Sequence, residues 1–399
     1  MRDPTIRNVI VLAFCQALAN IAMTMNMTVT ALAGKVLAVD PSLATLPLGL
    51  QFTATMAMTI PASLLMKRIG RRGGFAIGAG IGVVGAGTAA AALFAGSFAL
   101  FIAGSILIGA FMGFVSFYRY AAADTASEAF KSRAISLVLA GGVIAALISP
   151  TLADKSFQLL SPVTFSGTYV GMMVIMASIW GLLLFVRIPP PTAAERGDSG
   201  RPLTTIIAQP VFLVAAGGAM IGYGSMTFVM TATPLAMVAC GYVFTDTTSV
   251  IQWHVLGMFV PSFFTGHLIA RFGVLRIMLI GALALAAAGV INQSGIELVQ
   301  FYAGLILLGI GWNFLYIGGS TFLTECYAPA EKAKVQGFFD FMIFASSASA
   351  SFLAGALQHV YGWQVVNWVV LPLIAVAGIL IVTMMVTRKR AAGISTPVA

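Results

Sequence analysis

Apolar runs long enough to cross a lipid bilayer recur from one end of this 399-residue chain to the other, with short polar stretches between them. A hydrocarbon core about 30 Å thick is spanned by ~20 residues of helix. Inside it every backbone N–H and C=O must be bonded within the segment or within a closed barrel, so runs of this length fold as helices. Twelve runs qualify, at residues 9–37, 45–66, 75–95, 98–120, 134–154, 165–187, 205–237, 246–270, 274–294, 298–324, 335–358 and 363–386, and are numbered here as spans one to twelve. The expected fold is an all-α integral membrane protein with twelve transmembrane helices. Only 8% of residues are charged and 59% are apolar, whereas soluble domains carry about 25% charged residues. The first run, Val9 to about Val36, is too long for the apolar core of a signal peptide and has no clear cleavage site.

Lysine and arginine set the orientation, because they collect on the cytoplasmic side. Lys67, Arg68, Arg71 and Arg72 follow span two; Lys131 and Arg133 follow span four; Arg187, Arg196 and Arg201 follow span six. Arg271 and Arg276 follow span eight, Lys332 and Lys334 span ten, and Arg388, Lys389 and Arg390 span twelve. All fall on one side, so both termini are expected in the cytoplasm. The net charge of +9 expresses this topology rather than an affinity for nucleic acid.

The chain divides where Pro189, Pro190 and Pro191 open a polar stretch. The expected organisation is an N-terminal six-helix half (1–187), a central cytoplasmic linker (188–204) and a C-terminal six-helix half with a short cytoplasmic tail (205–399). The halves repeat. Lys67-Arg68-Ile69-Gly70 after span two lines up with Ala270-Arg271-Phe272-Gly273 after span eight, at an offset of 203 positions (271 − 68). Six plus six spans, a central linker and a basic turn after the second span of each half resemble the major facilitator superfamily.

That superfamily's loop usually reads Gly-x-x-x-Asp-Arg-x-Gly-Arg-Arg. Here Ser63 and Lys67 replace the first glycine and the acid, while Arg68, Gly70, Arg71 and Arg72 remain. The second copy keeps Gly266, Arg271 and Gly273, with Ala270 at the acidic position. The resemblance implies that Arg68, Gly70, Arg71, Arg271 and Gly273 form conformational gating loops. It also implies alternating access around a midplane site, with spans one, two, four, five, seven, eight, ten and eleven lining the cavity.

Spans seven and eight carry soft-ligand side chains at one-turn spacing. Met226 and Met230 lie four apart on span seven, as do His254 and Met258 on span eight, so each pair shares a helix face. If the connection centres near residue 240, Met226 and His254 stand equally far from it. Thioether sulfur and imidazole nitrogen suit copper, whereas Mg and Ca take oxygen. Met237, eleven residues beyond Met226, returns nearly to the same face. Methionine pairs at this spacing occur three times in the chain, so a pair alone signifies little and equally fits gap-filling packing. An intramembrane histidine is costly and marks function more sharply. Subtracting 203 from Met226 and Met230 lands on Met23 and Met27, and from His254 on Gln51, which extends the substrate path into the first half.

The two motifs and their interval resemble the CcoA-like copper importers, a subgroup of the superfamily related to riboflavin transporters. The resemblance implies copper as cargo rather than cofactor, Met226, Met230, His254 and Met258 as its ligands, and supply of copper to cytochrome oxidase assembly. It further implies a monomer in the bacterial cytoplasmic membrane, surrounded by lipid and served by copper chaperones. The alternative is a transporter of riboflavin or another small organic solute; Trp312 and Asn313 on span ten suit a flat one.

Arg119 ends span four near Asp124 and Glu128, and Asp340 lies about two turns inside span eleven. A salt bridge at the cytoplasmic mouth and a pair of solvated helix ends are both open readings. The chain contains neither a phosphate-cradling loop with lysine nor an evident nucleophile, base and oxyanion set, so neither ATP coupling nor enzymatic activity is expected.

Overall fold

A computed structural model describes residues 4–40, 43, 46–124, 130, 134–135, 137–138, 140–188 and 200–394. Among the described residues the regular structure is entirely helical. Eleven of the helices are long and apolar enough to cross a membrane. They correspond to eleven of the expected spans. The fifth appears as the helix Gly142–Ser156, with residues 136 and 139 outside the described set. Glu128, Lys131, Arg133, Arg196 and the three prolines at 189–191 also lie outside it.

Two compact units are present, Met1–Gly200 with Pro329–Gly355, and Arg201–Ala328 with Ala356–Ala399. In the first, glycine and alanine let helices approach closely, as membrane interiors require. The helix Arg71–Ala95 presents Gly78 and Gly82 to the rings of Phe114 and Phe111 on Phe98–Val115. Fully buried Phe75, Phe101, Tyr118 and Tyr169 complete this core, with Phe75 edge-on to Tyr118 and Phe101 edge-on to Tyr169. Span four bends at Ser116 and Phe117 and resumes as Tyr118–Asp124. The segment Pro329–Gly355 packs antiparallel to Leu46–Ile69. The Phe352 ring lies on Gly49, and Ser63 Oγ donates to the Ala333 carbonyl at 2.7 Å.

In the second unit the helix Leu298–Phe322 is almost wholly buried along one face. It meets Pro210–Ala239 at Gly319 and Gly222, and Val274–Gln293 at Gly281 and Gly311. Span eight is interrupted at Val260 and Pro261, between Phe244–Phe259 and Ser262–Phe272. The long helix Lys332–Ile394 breaks at Gly362, whose φ of 77° and ψ of −178° separate spans eleven and twelve.

The internal repeat read from the loop residues reappears in the backbone. Gly70 has φ 86° and ψ 161°, and Gly273, 203 positions later, has φ 88° and ψ 147°. This region is open essentially to glycine alone. Each glycine caps the start of the next span, so the same turn is built once in each unit.

Candidate functional site

His254 sits on span eight against span ten. Gly309 makes that approach possible: a Cβ there would stand 2.5 Å from the His254 carbonyl oxygen and 2.7 Å from the Met258 nitrogen. With the backbones this close, His254 Nδ1 reaches the Leu305 carbonyl oxygen at 2.7 Å. A carbonyl only accepts, so Nδ1 carries the proton and, in the neutral ring, Nε2 is left with its lone pair. The side chain is fully buried and Nε2 has no hydrogen-bond partner among the described residues. One turn on, the Met258 carbonyl accepts from Asn313 Nδ2 at 2.6 Å. Asn313 also donates to Ser262 Oγ at 2.7 Å, and its Oδ1 accepts from Thr265 Oγ1 at 2.7 Å. Asn313 therefore serves as a fastener of the interrupted span eight.

Met226, Met230, Met237 and Met258 are all buried, Met237 completely. Met258 shares a turn of span eight with His254, and both lie against Gly309 through their backbones. Met237 adjoins the end of its helix, where its carbonyl accepts from the Tyr242 N–H at 3.0 Å.

An aromatic cluster missed by the sequence reading, apart from Trp312, stands beside these residues. Trp312 stacks on Tyr316 with ring centroids 5.0 Å apart, and Tyr223 lies edge-on to both at 5.5 and 5.3 Å. Phe259, the neighbour of Met258, meets Trp312 at 5.7 Å. Three spans contribute, and the signal available in the chain was the i, i+4 spacing of Trp312 and Tyr316 with Tyr223 one turn before Met226 and Thr227. The indole Nε1 of Trp312 and the hydroxyl of Ser225 are buried without partners among the described residues. Trp312 and Tyr316 form one flat stacked pair with Tyr223 and Phe259 edge-on beside it, and aromatic walls with a few polar atoms are the usual lining of an organic-solute site.

The first unit holds the remaining residues. Gln51 is fully buried; its Nε2 donates to Met23 Sδ at 3.6 Å, and its Oε1 accepts from Asn26 Nδ2 at 2.6 Å. Met27 packs with Met23 on Leu48, Phe52 and Ala348. Thus Met23 and Gln51 are brought together, and Met27 shares the apolar packing of Met23.

Of the loop residues, Arg71 Nε donates to Asp124 at 3.1 Å, and Lys332 at the start of span eleven pairs with the same carboxylate. Asp124 thus links the two basic groups although the loop itself has Lys67 in place of an acid. Arg68 and Arg271 are exposed, and Arg271 lies over the Phe272 ring at 5.3 Å. Arg119 and Asp340 form an ion pair at 2.6 Å with side chains only 2% and 1% exposed. Of the two open readings, solvated helix ends are replaced by a buried bridge.

Comparison with known proteins bears on these features as a set. The profile of the Major Facilitator Superfamily matches residues 12–251 and 236–398. The riboflavin transporter RfnT of Brucella anthropi is 40% identical over 374 residues, covering 92% of this chain and 93% of that protein. An uncharacterized MFS-type transporter of Bacillus subtilis, YddS, is 30% identical over 366 residues, 86% of this chain and 83% of its own. Among solved structures, the major facilitator transporter FucP in its outward conformation aligns with a TM-score of 0.74 at 16% identity, covering 95% and 99% of the two chains. The human organic anion transporter MFSD10 aligns at 0.73 with 15% identity, covering 95% and 100%.

Proposed function

This chain belongs to the Major Facilitator Superfamily, and on that premise we propose that it is a secondary transporter whose cargo is riboflavin or a closely related flavin-type solute. The copper reading expected from the methionine and histidine motifs takes second place. The observation that carries the flavin reading is the cluster of Tyr223, Phe259, Trp312 and Tyr316 in one unit. A fused three-ring plane gains from stacking, and each aromatic pair contributes about 0.5–1.5 kcal/mol beyond area burial. The 40% identity to a riboflavin transporter, across nearly the whole of both chains, supports the same cargo class.

The superfamily fold supplies alternating access, so the cargo is bound at one face and released at the other without ATP. Uptake of labelled riboflavin by cells that cannot synthesise it, with and without this chain, tests the reading. Riboflavin-dependent growth and saturable uptake are expected, and Trp312→Leu raises the half-saturation concentration about three- to tenfold. No uptake above the control overturns it.

Copper import is the second reading, favoured by His254 taken together with the methionines rather than by the imidazole alone. Its Nδ1 is committed to Leu305, which presents the unprotonated Nε2 in the form metals bind. Met258, Met226 and Met230 supply thioethers of matching softness. Copper accumulation no higher with this chain than without it excludes the reading, and accumulation that survives His254→Ala removes His254 from the ligand set.

A further inference from the structure

At one end of the second unit a cavity of about 740 Å³ opens between the start of span nine and the end of span twelve. Its walls are apolar, with Leu279, Val382 and Val386 prominent, and the two valines are each 44% exposed. Its rim is basic, formed by Arg276, Arg388 and Lys389, with neither aspartate nor glutamate among its lining residues.

The three cations are not equivalent. Arg388 is engaged, donating to Glu325 Oε2 at 2.6 Å and lying over the Phe322 ring at 4.7 Å. Arg276 and Lys389 have no ion-pair partner among the described residues, which leaves two positive charges on the rim. Gly273, Val274 and Leu275 also line the cavity, so the opening N–H groups of a 20-residue helix stand in its wall with no side-chain cap. Those groups add partial positive charge to the same rim.

We propose that this cavity binds the headgroup of an anionic phospholipid, with its phosphate on Arg276 and Lys389 and its acyl chains along Leu279, Val382 and Val386. Charge complementarity and wall chemistry point the same way: the cations form the polar rim, and the exposed valines continue away from it as a surface suited to hydrocarbon. The positive-inside rule places this end in the cytoplasmic leaflet, where basic pockets between helices hold anionic headgroups. A soluble phosphate would use the rim and leave the apolar wall wet. The inference is independent of which cargo is carried.

The test uses the purified full chain reconstituted in bilayers of phosphatidylcholine with one-fifth phosphatidylglycerol, with co-released lipid read by native mass spectrometry. Each juxtamembrane cation contributes about a fivefold preference, so the wild type is expected to retain phosphatidylglycerol over phosphatidylcholine by ~25-fold. Arg276→Gln with Lys389→Gln reduces that ratio to near one. Arg390→Gln, an exposed cation of the same helix end that does not line the cavity, leaves it unchanged. All three substituted positions are exposed, and thermal melting verifies that the variants remain folded. Equal retention of both lipids by the wild type overturns the proposal. So does an unchanged preference in the double variant, or an equal loss in Arg390→Gln, which would mark diffuse surface charge. Displacement of the lipid by millimolar glycerol phosphate would assign the site to a soluble phosphate and overturn it as well.

Discussion

Replacing Asp340 by Asn should destabilise the first unit far more than any exposed ion-pair substitution, although the side chain barely changes in size. Arg119 Nη2 lies 2.6 Å from Asp340 Oδ1, and both side chains are essentially inaccessible to water. The guanidinium also donates to Tyr120 Oη at 3.0 Å and lies 4.4 Å from that ring's centroid, contacts that orient it without neutralising it. Removing the carboxylate therefore takes this counter-charge away from a buried cation, which costs about 3–5 kcal/mol. Arg119→Leu strands the carboxylate and falls in the same range. Replacing both by Leu removes the two desolvation penalties together, and such neutral pairs are often equal to or about 1–4 kcal/mol more stable than the ion pair. The assay is a four-member cycle of wild type, two single variants and the double variant, unfolded by denaturant in mild detergent. The double variant should be more stable than either single one, with a coupling of ~3 kcal/mol or more. The effect should be similar at 0.1 and 1 M salt, because buried pairs are poorly screened. Arg388 with Glu325, at 43% and 45% exposure, is the internal contrast: breaking it should change stability by less than ~1 kcal/mol. Single-variant losses that simply add in the double variant would refute the reasoning, since groups that do not sense each other add to within about 0.5 kcal/mol.

Three further outcomes follow from the backbone and the packing. Gly70→Ala and Gly273→Ala, at φ of 86° and 88°, should each cost about 1–3 kcal/mol in the same unfolding assay; equal melting temperatures for wild type and variants would contradict the strain. Gly80→Ala, where a Cβ meets nothing within 4 Å and the helix is regular, should be neutral or stabilising by up to ~1 kcal/mol, and serves as the control. Gly309→Ala pushes a Cβ against the His254 carbonyl and the Met258 nitrogen and should cost about 1–3 kcal/mol while weakening uptake of whichever cargo is carried; full uptake would show that span eight does not need this approach.

The transmembrane architecture was legible because hydrocarbon permits few backbone solutions, so long apolar runs translate directly into helices. The repeat was legible because a backbone conformation left its mark on residue type: glycine at 70 and again at 273 anticipated matching turns. Pairings across the fold were harder to read. Arg119 and Asp340 stand 221 positions apart, and whether they are solvated or bonded depends on span eleven packing in the first unit, which hydropathy does not express. Trp312 was legible as a span-ten aromatic suited to a flat solute, but Tyr223, Phe259 and Tyr316 read as scattered apolar residues until their three helices are brought together. His254 was legible as an intramembrane histidine worth its cost, but the chain alone could not say that Leu305 holds one ring nitrogen and leaves the other unpartnered among the described residues. Asp124 was visible as an acid near Arg119. Its bonds to Arg71 and Lys332 emerged only from the fold, and they supply a carboxylate to a loop whose own acidic position holds Lys67.

The two cargo readings make opposite demands on neighbouring side chains, so two conservative substitutions separate them. Met258→Leu keeps volume and removes the thioether, and such swaps cost under about 1.5 kcal/mol in stability. A copper carrier loses a soft ligand in that variant, whereas a flavin carrier keeps its apolar surface. Trp312→Leu does the reverse, removing the face on which Tyr316 stacks and the indole N–H while leaving His254 and the three methionines in place. His254 itself does not discriminate, because an unprotonated Nε2 accepts a hydrogen bond from an imide N–H as readily as it ligates a metal. Measured side by side, riboflavin uptake that falls in Trp312→Leu and persists in Met258→Leu supports the flavin reading. Copper accumulation with the opposite pattern replaces it, and a cargo indifferent to both substitutions would place the site away from spans eight and ten.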